Sequence, residues 1–225
     1  MCGLVGLYQK EGDALQRIFD GLIQVQHRGQ DAGGICTLQG GKINTHKELG
    51  LISEIFRNID IDILKGNIGI GHVRYPTKGT DNVNEAQPFH TTNPINIALA
   101  HNGTLTNSDE IKAKLTKLNF CQFNTNSDSE VLLNLLSYEL FKTNKNKFSN
   151  RDILDVLKRI FNQCQGGYAV VALISGIGLV AFRDPNGIRP LALGKNHNGS
   201  YLLASESSAI TVSYTHLRAH ETNSN

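Results

Sequence analysis

Short segments of β-type composition recur along the chain, and the turns between them constrain the fold most. Gly40-Gly41 separates two such segments, and Ser175-Gly176 separates two others. Turns this short join antiparallel neighbours, whereas parallel strands need a crossover of a dozen or more residues. The sequence therefore predicts largely antiparallel sheets and argues against a doubly wound nucleotide-binding fold. The predicted strands cover residues 4–8, 33–38, 42–47, 68–74, 95–100, 168–174, 178–183 and 201–204.

Helical patterns with one apolar face lie between the predicted strands. Two helices begin with capping boxes, Ser127 with Glu130 and Ser149 with Asp152. An apolar helix face must cover a sheet, and two groups of antiparallel strands are most simply stacked face to face. We therefore predict an α+β fold in which two sheets pack together and helices cover the outer faces. Two further apolar stripes consist of Leu15, Ile18, Leu22 and Val25 and of Ile111, Leu115 and Leu118.

The composition suits one globular domain. The 225 residues are 40% hydrophobic, and the net charge of +2 comes from scattered Lys and Arg, so nucleic-acid binding is not predicted. The most apolar tract, 168–182, is interrupted by Ser and Gly and is too short to cross a bilayer. The four cysteines show neither paired metal spacing nor the density of a disulfide-linked secreted domain. These features predict a cytoplasmic protein without membrane contact; the cysteines are Cys2, Cys36, Cys121 and Cys164.

Cys2 carries the most chemical information. A small side chain after Met1 permits removal of the initiator, which would leave one residue with both a thiol and a free α-amine. A thiol is a weak nucleophile until it is deprotonated, and an α-amine with a pKa near roughly 8 is a suitable proton acceptor at neutral pH. No separate histidine base is then needed. For an arbitrary protein beginning Met-Cys, the commoner meaning is a small residue that opens a strand.

Further motifs follow Cys2 in order, and together they carry a resemblance. They are CGLVG at 2–6, QHRGQD at 26–31, GHVRYPT at 71–77, HNG at 101–103 and NSDSE at 126–130. This array resembles the class II glutamine amidotransferases, which have the N-terminal nucleophile hydrolase fold, a four-layer αββα sandwich of two mainly antiparallel sheets. The agreement runs from Cys2 to about Ser207. Three stretches are most similar to the amidophosphoribosyltransferase branch, namely YPT at 75–77, EAQPF at 85–89 and RDPNGIRPL at 183–191.

The resemblance implies a catalytic set. Attack of the Cys2 thiolate on the side-chain amide of L-glutamine would put negative charge on the carbonyl oxygen, which needs hydrogen-bond donors. In the family the positions of Asn102 and Gly103 supply these donors. Outside such an array, an Asn-Gly pair after a strand is more commonly a turn.

The resemblance also implies a set of glutamine-binding residues. Arg74 matches the position that holds the α-carboxylate, and a guanidinium fits a carboxylate with two parallel hydrogen bonds. Asp128 matches the position that holds the α-ammonium group, although it could instead serve the N-terminus of the following helix. Arg28 and Thr77 match positions that line the glutamine pocket. Arg28 could equally close the C-terminus of a helix.

No metal or other cofactor is predicted in this segment. His27, His72, His90 and His101 have no histidine partner at i+4, and histidines within strands are expected to be satisfied structural residues. Gly166-Gly167 lacks the Lys-Ser/Thr signature of a phosphate loop, so we expect a strand boundary there. The resemblance implies Mg²⁺ in the second domain of full-length members, an iron–sulfur cluster in some of them, and a homo-oligomeric full-length protein.

Members of this branch pass ammonia from the first domain to phosphoribosyl pyrophosphate in a second domain, forming phosphoribosylamine for purine biosynthesis. The sequence contains no acidic pair followed by a Gly/Thr-rich phosphate-binding loop. We therefore expect residues 2–210 to be the glutaminase domain and the phosphoribosyltransferase domain to be absent. Residues 211–225 depart from the family pattern and are expected to be a disordered or artefactual tail.

Two other functions stay open at this point. The chain could be the glutaminase domain of an enzyme of hexosamine, asparagine or glutamate synthesis, which uses the same nucleophile. The stretches 75–77 and 85–89 argue against that reading. It could also be a catalytically silent domain that binds glutamine for regulation.

Overall fold

The computed structural model describes residues 2–57, 59–75, 82–145 and 147–213. Within these residues ten strands form two sheets, and neighbouring strands pair antiparallel. The six-stranded sheet has the order β3-β2-β4-β1-β10-β9, and the four-stranded sheet has the order β5-β6-β7-β8. The strands are β1 Gly3–Tyr8, β2 Ala32–Gln39, β3 Lys42–Leu49, β4 Ile68–Arg74, β5 Phe89–Thr91, β6 Ile97–Leu105, β7 Gly166–Ile174, β8 Gly178–Arg183, β9 Ala192–Lys195 and β10 Tyr201–Ala204.

Buried apolar clusters define four layers. Helices α1, α2 and α6 pack on the outer face of the six-stranded sheet, and α3, α4 and α5 pack on the outer face of the four-stranded sheet. Between the sheets lies a third cluster that includes Leu4, Ile70, Ala100 and Val171. The predicted four-layer αββα sandwich is therefore confirmed. The helices are α1 Leu15–Gln24, α2 Ile52–Ile55, α3 Ser108–Lys117, α4 Asp128–Phe141, α5 Asn150–Gln163 and α6 Ser207–Ser213.

The hairpin predicted at Gly40-Gly41 is confirmed. Both glycines have positive φ, 57° and 83°, and they connect the last pair of the β2–β3 ladder, Gln39 opposite Lys42. Side chains with a Cβ rarely adopt this backbone conformation, so the glycine pair suits a tight turn with the twist of the strands.

Side chains alternate between the two faces of β6. Ala98 and Ala100 face the six-stranded sheet, whereas Ile97 and Leu99 face the helices on the other side. Successive residues of a strand point to opposite faces. Asn102 therefore faces the six-stranded sheet, and His101 faces the helix layer.

Some predicted boundaries and contacts differ from the structure. The strand expected to end at Ala100 continues to Leu105, because β7 begins at Gly166 and pairs with it over its whole length. The HNG motif therefore lies on a strand and not in a turn. The start of β7 at Gly166 confirms the boundary expected at the glycine pair.

The capping predictions were right for one helix and wrong for the other. Ser149 and Asp152 form the reciprocal box at the start of α5. Ser127 does cap α4, but its hydroxyl accepts from the N–H of Ser129, and the Glu130 carboxylate accepts from Asn124 and Thr125 instead. The predicted box at Ser127 is therefore wrong, since Glu130 fixes the preceding loop.

The ends of two helices also differ from expectation. Leu118, expected in the apolar stripe of α3, is 49% exposed because the helix ends at Lys117. Residues 211–213, expected in the disordered tail, continue α6 as helical backbone. The rest of the expected tail, 214–225, lies outside the described residues. In the part of the chain that is described, no helix is long and apolar enough to cross a membrane.

Candidate active site

Cys2 directly precedes β1, which is an interior strand of the six-stranded sheet. Its carbonyl oxygen accepts two hydrogen bonds, from Nε of Arg28 at 2.9 Å and from Nδ2 of Asn102 at 2.8 Å. The backbone N–H of Tyr75 lies 3.4 Å from the sulfur. The residue as a whole is partly exposed, while these hydrogen bonds hold its main chain.

Asn102 connects Cys2 to a buried histidine. Its Oδ1 lies 3.1 Å from Nε2 of His72, and an amide oxygen can only accept, so His72 donates from Nε2. Burial lowers the pKa of His72 to about 3, which keeps the ring neutral. The amide of Asn102 is thereby oriented with its NH₂ group toward Cys2. Because Nδ2 carries two N–H bonds, one remains beyond the bond to the Cys2 carbonyl.

Past the end of β5, the same edge of β6 has three backbone N–H groups, those of His101, Gly103 and Leu105. Side chains accept hydrogen bonds from two of them. Gln87 accepts from the N–H of His101 at 2.7 Å and donates to its carbonyl at 3.1 Å. Asp128 accepts from the N–H of Leu105 at 2.9 Å. Gly103 lies between them on the same edge.

The N–H of Gly103 points away from β7. Its partner in the ladder is Tyr168, whose own N–H and carbonyl both bond to Asp184 on the opposite side. Opposed residues in an antiparallel pair either exchange both hydrogen bonds or neither, so Gly103 directs its amide outward. Among the described residues no acceptor for this N–H is found. The edge therefore carries an outward-facing backbone donor next to Asn102.

Only glycine fits at position 103. Its φ is +138°, and a Cβ there would collide with the carbonyl oxygen of Gly167. A side chain would therefore strain the backbone and push β6 away from β7.

Arg74, the last residue of β4, lies across from Cys2, one step beyond the pair of Gly3 and Val73. Its side chain is only 6% exposed and is ion-paired with Glu85 at 2.8 Å and Asp31 at 3.4 Å. The predicted ligand for the glutamine carboxylate is thus adjacent to Cys2. In this conformation its guanidinium already faces two carboxylates.

Asp128 is the first residue of α4. Besides the bond to Leu105, its Oδ1 lies 3.7 Å from Nδ1 of His101, which also contacts the Ser129 hydroxyl at 3.0 Å. Burial lowers the pKa of His101 in spite of the nearby Asp128 carboxylate. Asp128 therefore reaches the same end of β6 as Asn102 and Gly103, from the helix side of the sheet.

The expectation that the strand histidines are satisfied is wrong for one nitrogen of each ring. Nδ1 of His72 and Nε2 of His101 are buried without a hydrogen-bond partner among the described residues. The other nitrogen of each ring is hydrogen-bonded, in His72 to Asn102 and in His101 to Ser129. A buried nitrogen without a partner destabilises the protein less in a neutral ring than in a charged one, and the lowered pKa of each histidine keeps its ring neutral.

Arg28 is close to Cys2, and its guanidinium contacts other groups of the protein. Besides the Cys2 carbonyl, the guanidinium donates from NH1 to Glu206 at 2.7 Å. Thr77, the remaining predicted pocket residue, lies outside the described residues. The structure thus brings Cys2, Asn102, Arg28 and Arg74 together. Gly103 lies on β6 next to Asn102, and Asp128 contacts the end of the same strand from α4.

Two contributors to this arrangement were not assigned a role from sequence. In the sequence Gln87 is part of the 85–89 stretch, and none of the motifs contains Glu206. Neither has a local signal, because each acts on a residue distant in sequence. In the described ranges no group of three or more potential metal-binding side chains is found.

Residues 72–212 match the family described as glutamine amidotransferase domain. This range contains the whole end of β6, with Asn102, Gly103 and Asp128, and the geometry around Cys2 adjoins it. The chain belongs to the glutamine amidotransferase domain family.

Several curated relatives are amidophosphoribosyltransferases. The Pseudomonas aeruginosa enzyme is 46% identical over 94% of this chain and 43% of its own length. The Pasteurella multocida enzyme is 46% identical over 97% of this chain and 44% of its own length. The solved structure of the B. subtilis glutamine phosphoribosylpyrophosphate amidotransferase, complexed with ADP and GMP, matches with a TM-score of 0.78 and 34% identity over 94% of this chain and 43% of that one. The chain spans less than half the length of these relatives.

Proposed function

We propose that this chain binds L-glutamine and hydrolyses its side-chain amide through a thioester on Cys2, releasing glutamate and ammonia. The observation that carries the proposal is the hydrogen bond between Asn102 and Cys2 beside the outward N–H of Gly103. A nucleophile and two donors at one strand end suit acyl transfer, because they can act on the same carbonyl group.

In the first step the Cys2 thiol gives its proton to the α-amine freed by removal of Met1. The thiolate attacks the amide carbon of glutamine, forming a C–S bond and an oxyanion. The second N–H of Asn102 and the N–H of Gly103 donate to that oxygen. Removal of one such donor typically costs about 3–4 kcal/mol of transition-state stabilisation.

In the second step the tetrahedral intermediate collapses. The C–N bond breaks and the α-ammonium returns its proton to the leaving nitrogen, which departs as ammonia. Water then attacks the thioester and gives up a proton, so that glutamate leaves and the thiol is restored. These steps need no metal ion, since the amine, the thiol and the amide donors handle the protons and the charge.

For substrate binding we propose that Arg74 holds the α-carboxylate and Asp128 the α-ammonium group, with Arg28 and Thr77 near the pocket. Glu85 would have to move from the guanidinium, because a third carboxylate beside one cation is electrostatically unfavourable.

For the longer protein we propose the reaction named for its relatives, in which ammonia is transferred to phosphoribosyl pyrophosphate for purine biosynthesis. The identities of 46% support this. We propose that a second domain of the longer protein binds phosphoribosyl pyrophosphate, Mg²⁺ and any iron–sulfur cluster, and that the longer protein is a homo-oligomer. A cytoplasmic location is proposed with it.

The test is covalent labelling of the purified chain with a glutamine-like chloroketone, with the N-terminus established by intact mass. We expect one adduct on Cys2, ammonia release from glutamine, and loss of both in Cys2→Ser. Labelling elsewhere, or equal labelling of the Ser variant, would refute the nucleophile. Saturable glutamine binding without ammonia, from a chain that begins at Cys2, would instead favour a silent regulatory domain.

A further inference from the structure

The residue that performs the proposed chemistry has little support from its own strand. The ladder between β1 and β4 begins with Gly3 opposite Val73, so Cys2 precedes the first pair of the ladder. A terminal residue outside the ladder frays unless side chains hold it. In this structure the Cys2 carbonyl is held by two side chains, Asn102 and Arg28.

Arg28 is itself held in place. Its side chain is 11% exposed, and NH1 donates to Oε1 of Glu206 at 2.7 Å while Nε donates to Cys2. The guanidinium is rigid and planar, so an anchor on one nitrogen sets the direction of the other. His27 contacts the same Glu206 oxygen at 3.1 Å from the exposed side.

Glu206 occupies a well-fixed point of the main chain. It follows Ser205, whose N–H donates to the Leu4 carbonyl at 3.0 Å and whose hydroxyl accepts from the Leu4 N–H at 3.2 Å. The backbone two residues after Cys2 and the backbone that carries Glu206 are therefore bonded to each other. This connection ties the carboxylate to the strand that it helps to align.

We propose that Glu206 is a positioning residue for the nucleophile, acting through Arg28 on the carbonyl of Cys2. The inference rests on the proposed function, because it concerns the placement of Cys2 for attack. It assigns Arg28 to the alignment of the enzyme's own main chain. The resemblance instead implies that Arg28 lines the glutamine pocket.

The two roles of Arg28 differ in kinetics. A residue that binds glutamine in the ground state raises KM when it is lost, whereas one that aligns the nucleophile lowers kcat and leaves KM nearly unchanged. A displacement of about 1 Å at a reacting group can reduce the rate on the order of a hundredfold. Loss of Glu206 leaves the second donor, Asn102, in place, so we expect a smaller reduction.

The experiment measures ammonia release by the full chain carrying Glu206→Ala or Arg28→Lys, which keeps the charge but loses the Nε donor. We expect kcat to fall on the order of tenfold in each, with KM within about twofold, and slower alkylation of Cys2 by iodoacetamide. Glu48→Ala is the control, since Glu48 is also paired with a histidine on this sheet, at 3.5 Å, but lies on edge strand β3. It should match the wild type in all three measurements.

A double-mutant cycle tests whether Glu206 acts through Arg28. In the Arg28→Lys background, Glu206→Ala should cause no further loss of kcat, because the connection is already broken. Full additivity, a rise in KM alone, or wild-type kcat in Glu206→Ala would overturn the proposal. If Glu206→Ala does not fold, Glu206→Leu, which fills similar space without a hydrogen-bond acceptor, replaces it in both measurements with the same expected results. A wild-type chain that releases no ammonia would refute the proposed function instead.

Discussion

At the scale of single residues, Asn102 combines two tasks in one amide group. One N–H of Nδ2 bonds to the Cys2 carbonyl, and its oxygen is fixed by His72. The remaining N–H is the side-chain donor proposed for the oxyanion. We expect Asn102→Ala to lower kcat by about 10²–10³ with a small change in KM, measured by steady-state ammonia release.

A matched control exists for this substitution. Asn67 is an exposed asparagine whose Nδ2 bonds to the Gln9 carbonyl, and it precedes β4 at the end of that strand opposite to Arg74. Asn67→Ala should retain wild-type kcat. An Asn102→Ala variant with normal kcat, or with a rise in KM alone, would show that the oxyanion is stabilised elsewhere.

Removal of a negative charge beside Arg74 is predicted to strengthen glutamine binding. Its guanidinium faces Glu85 and Asp31, which compete with any incoming carboxylate. Glu85→Gln keeps the shape of the side chain and removes one negative charge. If Arg74 holds the α-carboxylate, this variant should bind glutamine more tightly, seen as a several-fold lower KM. An unchanged or raised KM would mean that Glu85 does not compete with the substrate.

At the scale of elements, the end of β6 is completed by a side chain in place of a strand. β5 pairs with β6 only as far as Phe89 opposite Leu99, and Gln87 then bonds to both backbone groups of His101. Gln87→Ala would leave those groups without partners in a buried place, at about 1–3 kcal/mol for each. We expect lower stability in urea unfolding and a reduced kcat, because the neighbouring Gly103 is no longer held.

Two further variants test this interpretation of Gln87. Glu in its place can accept from the His101 N–H but, when ionised, cannot donate to the carbonyl, so Gln87→Glu should lose one of the two bonds. Gln122 is exposed, and Gln122→Ala should unfold like the wild type. Equal stability of Gln87→Ala and Gln122→Ala would contradict a structural role for the amide.

The limits of sequence interpretation are also clearest among these elements. Glycine turns and apolar periodicity predicted most strands, since both are local. The missed strands are β5, which has three residues, and β9, whose sequence Ala-Leu-Gly-Lys has one large apolar residue. The meeting of Cys2 with Asn102 joins residues one hundred positions apart, and only the resemblance indicated it. Gln87 and Glu206 act on distant backbone or side-chain groups, so no local pattern marks them.

At the scale of the whole molecule, the fold buries two histidine rings, and burial keeps both rings neutral. His72 faces the four-stranded sheet from β4, and burial lowers its pKa to about 3, with His101 and Arg74 disfavouring the charged ring and the bond to Asn102 favouring it. The pKa of His101 is also lowered by burial. Both rings are neutral in the folded protein at pH values where an unfolded histidine begins to take up a proton.

This difference makes stability depend on pH in a defined window. Below the ordinary histidine pKa of 6.5, His72 takes up a proton in the unfolded chain but not in the folded protein. The free energy of unfolding therefore falls by about 1.4 kcal/mol per pH unit for that ring as the pH drops toward 3. Carboxylates with lowered pKa, such as Glu139 and Glu206, begin to lose their contribution near the ordinary value of 4.5 and lose it fully as the pH falls through their lower folded-state pKa. The interval from pH 6.5 to 5 therefore isolates the buried histidines.

Urea unfolding at pH 7.5, 6 and 5 measures the effect. We expect the free energy of unfolding to fall steadily between pH 6.5 and 5 in the wild type and less steeply in His72→Gln, which lacks the titrating ring. His90 is exposed on β5, so His90→Gln should follow the wild-type slope. Identical slopes for wild type and His72→Gln would mean that the His72 ring takes up a proton in the folded state, and the orientation of Asn102 by a neutral His72 would then be untenable.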